Sequence, residues 1–329
     1  MKRDMPFVGI DLGATSLLAV VADARGQVLG TAEADTPHDG SDPGPVVAEV
    51  ARIVQKAARK ADVKVSKLKA LGIGAPGSVD LETGFIAKAT NLDWLDVPLA
   101  RHLEDALDLP SFVANDVQVA IMGEHAYGAA QGARNAVGIW VGTGIGGGMI
   151  LGGELYRGSH GAAGEIGHMA VIPDGPRCGC GQQGCVEAVA SRSAIAREIE
   201  AAIAGRKKTL VPQIMREKNK DRITASVLLA AATAGDKLVL ELLERSRLYL
   251  SILVKNLLNV VDPEVVVIGG GMVEKFGESM VAPIRQLALA QAMLRPGEPP
   301  RIVASQLGDH AGALGATVWA RMRMDGGLR

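Results

Sequence analysis

Apolar and polar positions along this chain switch between two periods. Residues 7–34, "FVGIDLGATSLLAVVADARGQVLGTAEA", form β-rich apolar runs cut by the turn signals Gly13-Ala14-Thr15 and Ala24-Arg25-Gly26, and predict three short strands in a meander. Apolar residues then fall at 46, 47, 50, 54, 57 and 58, which is helical spacing, with Pro45 suited to the first turn. "KALGIGAPG" (69–77) predicts a buried strand ending in a loop and "FVAND" (112–116) another, with a helix from about Val117 to Ala130.

The pattern then recurs. In residues 136–158, "AVGIWVGTGIGGGMILGGELYRG", Val137-Gly138-Ile139 matches Val8-Gly9-Ile10, and Gly142 matches Gly13. This predicts two halves built on one plan. Residues 191–205 and 225–261 read as helical, "PEVVVIGGGM" (263–272) as a buried strand running into glycines, 273–292 as helical, and 301–323 as a strand, a turn and a closing helix. Strands alternating with helices argue for α/β. The expected domains are a small N-terminal α/β domain over 1–116, joined by the closing helix 309–329, and a larger α/β domain over 117–308. The polar stretch 205–224 has no role that its residues disclose.

Composition narrows the function. The formal net charge is -1, which gives no general attraction to nucleic acid or to an anionic membrane. The basic run at 58–69 reads as a solvated helix end. No apolar stretch approaches the roughly 18 residues of a spanning helix, and the N-terminus lacks the apolar core of a signal peptide, about 7–15 residues. The chain carries three cysteines, so one is necessarily unpaired, which suits a reducing compartment; a cytoplasmic location is expected.

Three Gly-rich turns follow strands, at 11–15, 141–148 and 267–272. Glycine lets backbone N–H groups approach an anion closely. One such turn is ordinary; three, two of them related by the repeat, point to a nucleotide. The P-loop pattern is absent, and "GTGIGG" leads into a strand, not into the helix of a dinucleotide fingerprint. Asp11, beside the first turn, either caps it or holds Mg²⁺ through water. Asp116 ends a buried strand and begins a helix. It is either an N-cap or a general base for a substrate hydroxyl. His168, Cys178, Cys180 and Cys185 form H-x9-C-x-C-x4-C, a Cys3His set suited to structural Zn²⁺, against the alternative of three packed or redox-active thiols. Glu165 and Glu187 flank that set within the loop 164–191. Pinned by an ion, they would form with the imidazole a receptor for a ring of hydroxyls; Glu187 also fits a plain helix start.

At this point a resemblance is specific. "GIDLGAT", "GIGAPGSVD", "ATNLDWLDVPL", "VANDVQVAIMGEHAYGAAQG", "VGTGIGGGMILGGELYRGSHGAAGEIGH", "CGCGQQGCVEAVAS", "VVIGGGM" and "GDHAGALGA" make the chain resemble, nearly end to end, the ROK family of sugar kinases, and most of all its bacterial glucokinases. The resemblance implies a duplicated actin/hexokinase-like (ribonuclease H-like) fold with sugar and ATP between the domains, and glucose phosphorylated at its 6-hydroxyl. By motif, Asp116 would be the catalytic base, and Asn115, Glu165, His168 and Glu187 would bind the sugar. Asp11, Gly13, Thr15, Thr143 and Gly144 would line the phosphates and Mg²⁺, and Gly269 and Gly270 the adenosine. A homodimer or homotetramer is implied. Many relatives read D-x-G-G-T-[KN] where this chain has Ala14 and Ser16, which bears on nucleotide binding. Kinases for mannose, fructose or an N-acetylhexosamine use the same carboxylates. Sugar-sensing repressors of the family keep the zinc loop but need a DNA-binding region ahead of the first strand, where this sequence has about six residues.

Overall fold

The structure is a computed structural model and describes residues 5–37 and 40–326. It opens with the expected meander, β1 (Phe7–Leu12), β2 (Ser16–Ala22) and β3 (Val28–Asp35), followed by α1 (Gly44–Lys60). β4 (Leu71–Ala75) runs parallel to β1, with Asp11 opposite Gly74. Periodicity predicts nothing for the next segment. It forms a small antiparallel sheet of β5 (Ser78–Asp80), β6 (Phe85–Ala89) and β7 (Trp94–Val97), then α2 (Leu99–Leu107). These strands are three to five residues long, too short for alternation to stand out among turn residues. β8 (Ser111–Asn115) completes a five-stranded sheet, β3-β2-β1-β4-β8, and α3 (Asp116–Tyr127) follows directly.

The second half repeats the plan. β9 (Ala136–Val141), β10 (Ile145–Leu151) and β11 (Glu154–Leu155) come first; β12 (Val265–Gly269) and β13 (Arg301–Ala304) then extend the sheet parallel to β9, in the order β11-β10-β9-β12-β13. Read with β9 in place of β1, this is the order of the first sheet. Between and after these strands lie α4 (Val186–Ala190), α5 (Arg192–Ala204), α6 (Val211–Glu217), α7 (Ala225–Thr233), α8 (Lys237–Val261), α9 (Gly271–Phe276), α10 (Glu278–Gln291) and α11 (Ala311–Met324). Two stretches with continuous helical periodicity are divided by glycines in the left-handed region. Gly235 (φ +77°) separates α7 from α8, which Asp236 caps by accepting the Val239 N–H at 3.1 Å; Gly277 (φ +55°) separates α9 from α10. α6 lies in the polar stretch 205–224, and the same Asp236 carboxylate accepts from the Thr209 hydroxyl and the Leu210 N–H beside it.

The chain forms two compact units, Met1–Arg134 with Gly148–Gly164 and Gln306–Arg329, and Asn135–Gly147 with Glu165–Ser305. The expected boundary at Asp116 therefore moves: α3 stays with the first unit. The cause is glycine. A Cβ on Gly123 of α3 would lie 2.5 Å from the Ala311 carbonyl oxygen, and one on Gly315 of α11 would lie 1.6 Å from that of Val119, so the two helices pack backbone to backbone. α11 also lies directly on the first sheet, where a Cβ on Gly9 or Gly72 would sit 1.9 Å from a carbonyl oxygen of Ala313 or Ala316. Among the described residues, no helix is long and apolar enough to cross a membrane.

Candidate functional site

In the first unit the candidate residues gather at the C-terminal ends of parallel strands, where α/β folds present chemistry. Asp11 is the last residue of β1 to pair with β4, and Asn115 ends β8 opposite Ala75 of β4. Asn115 is the N-cap of α3: its Oδ1 accepts the N–H groups of Val117 (3.0 Å) and Gln118 (3.2 Å), and its Nδ2 donates to the Gly77 carbonyl at 3.3 Å. Asp116 is thus the first helical residue and not the cap, although its Oδ1 also lies 2.9 Å from the Val117 nitrogen. Gly74, which the sequence reading passes over, makes room for it. A Cβ there would lie 3.2 Å from the Asp116 Cα and 2.4 Å from a Val119 methyl. Asp11 is partly buried, and burial raises its carboxyl to about 7, with the negative charges of Asp116 and Asp309 adding to the rise.

The first glycine turn is held by its own hairpin. The Gly13 N–H donates to the Ser16 carbonyl at 2.9 Å; Thr36 donates its hydroxyl to the Gly13 carbonyl at 2.7 Å and its N–H to the Thr15 carbonyl at 3.2 Å. Neither Gly13 nor Ala14 has positive φ, so alanine fits at 14 without strain. Thr15 and Ser16 are exposed.

In the second unit the structure brings His168, Cys178, Cys180 and Cys185 together, with their donor atoms all within 4.8 Å of one another. His168 Nδ1 is 3.6 Å from Cys178 Sγ, and Cys180 Sγ is 3.7 Å from Cys185 Sγ. A tetrahedral ion with Zn–S of about 2.3 Å and Zn–N of about 2.0–2.1 Å requires roughly 3.6 Å between N and S and roughly 3.8 Å between two sulfurs. The donor set fits. Burial pushes the Cys178 thiol up to about 12, whereas Cys180, which accepts from the Gln182 N–H, lies below the usual thiol value. A positive ion is the group that would hold all three as thiolates. Local turns build the loop: the Cys178 N–H donates to the Gln182 carbonyl at 2.8 Å, and Gly184 (φ +76°) passes so close to the Ile172 carbonyl oxygen that a Cβ would lie 1.9 Å from it.

Glu165 and Glu187 flank this set differently. Glu165 is exposed, with Oε2 3.9 Å from His168 Nε2, the ring nitrogen facing away from the sulfurs. Glu187, in the first turn of α4, reaches back to the second glycine turn: its Oε2 accepts the Ile145 N–H at 2.9 Å and would lie 2.4 Å from a Cβ on Gly144. Gly144 is therefore glycine to admit a carboxylate of the chain itself, while a Cβ on Gly142 would meet nothing within 4 Å. Thr143 accepts a hydrogen bond at Oγ1 from Arg192 Nη2. Gly269 packs under the Trp140 ring, 2.9 Å from a hypothetical Cβ, and Gly270 (φ +85°) against the Val141 backbone; of the three glycines only Gly271 is open. Sequence reasoning missed Arg192, Trp140 and Gly74. A lone arginine, a strand tryptophan and a strand glycine carry no spacing signal.

The ROK family profile matches residues 7–323. A glucokinase of Halalkalibacterium halodurans is 36% identical over 95% of this chain and 94% of its own length. The crystal structure of a ROK family glucokinase from Streptomyces griseus in complex with glucose and AMPPNP has a TM-score of 0.81 at 34% identity, covering 96% of this chain and 99% of that one. A ROK hexokinase from Thermus thermophilus has a TM-score of 0.79 at 33% identity, covering 98% and 100%.

Proposed function

We propose that this chain, which belongs to the ROK family and has its duplicated actin/hexokinase-like fold, transfers the γ-phosphoryl group of ATP to the 6-hydroxyl of glucose. The observation that carries the mechanism is the division of labour at the start of α3. Asn115 is the N-cap of the helix, and Asp116, whose Oδ1 shares the Val117 N–H, adds a carboxylate at the C-terminal edge of the sheet. Asp116 takes the proton of the 6-hydroxyl as its oxygen attacks. The new O–P bond forms while the bond from the γ-phosphorus to the bridging oxygen breaks, and ADP leaves.

Glu165, His168 and Glu187 read the sugar. Glu187 has Oε2 committed to the Ile145 N–H, while Oε1 accepts from the Cys178 thiol at 3.6 Å and would be released to a sugar hydroxyl once that sulfur is a metal-bound thiolate. His168 turns Nδ1 toward the cysteines; with Nδ1 on a metal ion, Nε2 would carry the ring hydrogen and donate. His168, Cys178, Cys180 and Cys185 would hold Zn²⁺, which when bound cross-links the loop that carries both glutamates. Asp11 would hold Mg²⁺ through water, and the ion when bound neutralises charge on the phosphates. The turns at 13–15 and 142–144 line the phosphate chain in this reading, with the Gly13 and Gly142 N–H groups already spent on the Ser16 and Gly144 carbonyls, and Gly269 and Gly270 line the adenosine. Self-association into a dimer or tetramer in the cytoplasm belongs to the same reading, and sedimentation velocity tests the association.

The test is ADP release with Mg·ATP across glucose, mannose, fructose, N-acetylglucosamine and N-acetylmannosamine. Selectivity for glucose is expected. Selectivity for another hexose would keep the mechanism and change the substrate. No turnover on any of them by folded, zinc-replete protein would overturn the kinase reading.

A further inference from the structure

The second glycine turn carries a cation that no motif predicts. Arg192 is the first residue of α5, whose start is sewn to the turn: its N–H donates to the Gly142 carbonyl at 3.0 Å, and the Ser193 N–H to that of Thr143 at 3.4 Å. The guanidinium reaches the same turn, with Nη2 donating to Thr143 Oγ1 while Nη1 is tied to the Ile223 carbonyl at 2.8 Å. The side chain is partly buried, and the charged neighbour that bears on it is a second cation, Arg222. Desolvating one cation beside another is unfavourable unless an anion offsets it. The carboxylate on this turn, Glu187, is already engaged by the Ile145 N–H.

We propose that Arg192 is a positioning residue for the phosphate chain of the phosphoryl donor, orienting the Thr143 hydroxyl and placing positive charge at the 142–144 turn. Because Arg192 donates into Thr143 Oγ1, the hydroxyl hydrogen must point elsewhere, where it can donate to a phosphate oxygen. The guanidinium adds a charge-assisted contact for the more anionic end of a polyphosphate. The ligand class is a linear polyphosphate, whether esterified as ATP or free. The donor's identity as ATP rests on the kinase reading; the anion site does not.

Calorimetric titration of the full chain, wild type against Arg192→Ala and Arg192→Lys, with AMP, ADP, ATP and inorganic tripolyphosphate decides it. Arg192→Ala should weaken ATP and tripolyphosphate about tenfold or more and leave AMP within about twofold, with Arg192→Lys in between. Thr143→Val, which keeps the tie to Ile223, should show the same dependence on phosphate number if Arg192→Ala fails to fold. Equal weakening of AMP and ATP would mean a merely structural role and overturn the proposal. So would unchanged polyphosphate affinity, or a wild type that binds none of these anions. A wild type that binds ATP with the predicted dependence yet phosphorylates no sugar would sink the kinase reading and leave this one standing.

Discussion

The turn after β1 and the turn after β9 occupy the same place in two sheets of the same strand order, yet their charged groups differ. The first has Asp11, with Asp116 and Asp309 close enough to raise its carboxyl. The repeat that aligns Val8 with Val137 aligns Asp11 with Trp140, so the second turn loses that acid; in its place Trp140 packs on Gly269 and Arg192 stands at Thr143. Duplication preserved the backbone route and let the side chains diverge. The first turn gathers carboxylates; the second sets one carboxylate, Glu187, and one guanidinium, Arg192, on the same few residues.

The largest effect expected from separating the two units' roles lies at Asp116. Asp116→Asn removes the proposed base from the first unit and leaves the proposed sugar readers Glu165, His168 and Glu187 untouched. Turnover should fall about 10²–10⁴-fold or more while glucose affinity, measured by calorimetry, stays within a few-fold. Near-normal turnover would take Asp116 out of the reaction. The converse experiment strips metal with a chelator, or uses Cys180→Ser. Glucose affinity should then drop about 10–100-fold while ATP affinity holds, because the loop that aims Glu165 and Glu187 loses its cross-link. Sugar binding unchanged in metal-free protein would mean the loop holds its shape by packing alone.

How far the residues announced this arrangement depended on whether local spacing could carry it. The Cys3His set was readable because such a cluster is a local object: ten residues from His168 to Cys178 and seven from there to Cys185 suffice to bring the four donors together. The duplicated plan was readable from the repeat of Val-Gly-Ile and glycine. The small sheet β5–β7 was not, since its strands are too short to show a period. Nor was the place of α3, which Gly123 and Gly315 settle by a backbone contact between helices nearly two hundred residues apart. Gly144 looked like a phosphate-binding glycine from its motif. Its immediate reason is the Glu187 carboxylate, a partner that only the folded chain supplies.

The acid of the first turn should be visible in stability against pH. Asp11 has a folded-state value raised to about 7 from 3.8, so the folded chain holds that proton more tightly than the unfolded one. The stability this contributes is fully present below about pH 4 and is lost as pH rises through about 7. Asp11→Asn removes the dependence. Relative to wild type, the variant should gain about 1–2 kcal/mol between pH 5.5 and pH 8.5; a three-unit shift sets the upper bound at about 4 kcal/mol, and the partial exposure of the side chain reduces it. A parallel course of the two melting curves with pH would show that Asp11 ionises in the fold as it does in water. No equivalent test exists in the second half, where the aligned residue is Trp140.

Single methyl groups separate the glycines of the two turns. A Cβ on Gly13 has the Ser16 carbonyl oxygen at 3.1 Å and nothing else closer than 3.8 Å, and its φ is not positive, so Gly13→Ala needs only a shift of a few tenths of an ångström. It should cost under about 1 kcal/mol in thermal melts. Gly144→Ala would set a methyl 2.4 Å from Glu187 Oε2 and 3.2 Å from its Cδ, displacing the carboxylate from the Ile145 N–H. That should cost about 1–3 kcal/mol and weaken glucose, since the displaced group is a proposed sugar ligand. Gly142→Ala meets no protein atom within 4 Å and should melt like wild type, so any loss of ATP affinity there reports a methyl pressed against the ligand itself. If Gly13→Ala and Gly144→Ala proved equally costly, the two turns would be alike in packing, and their divergence would lie in charge alone.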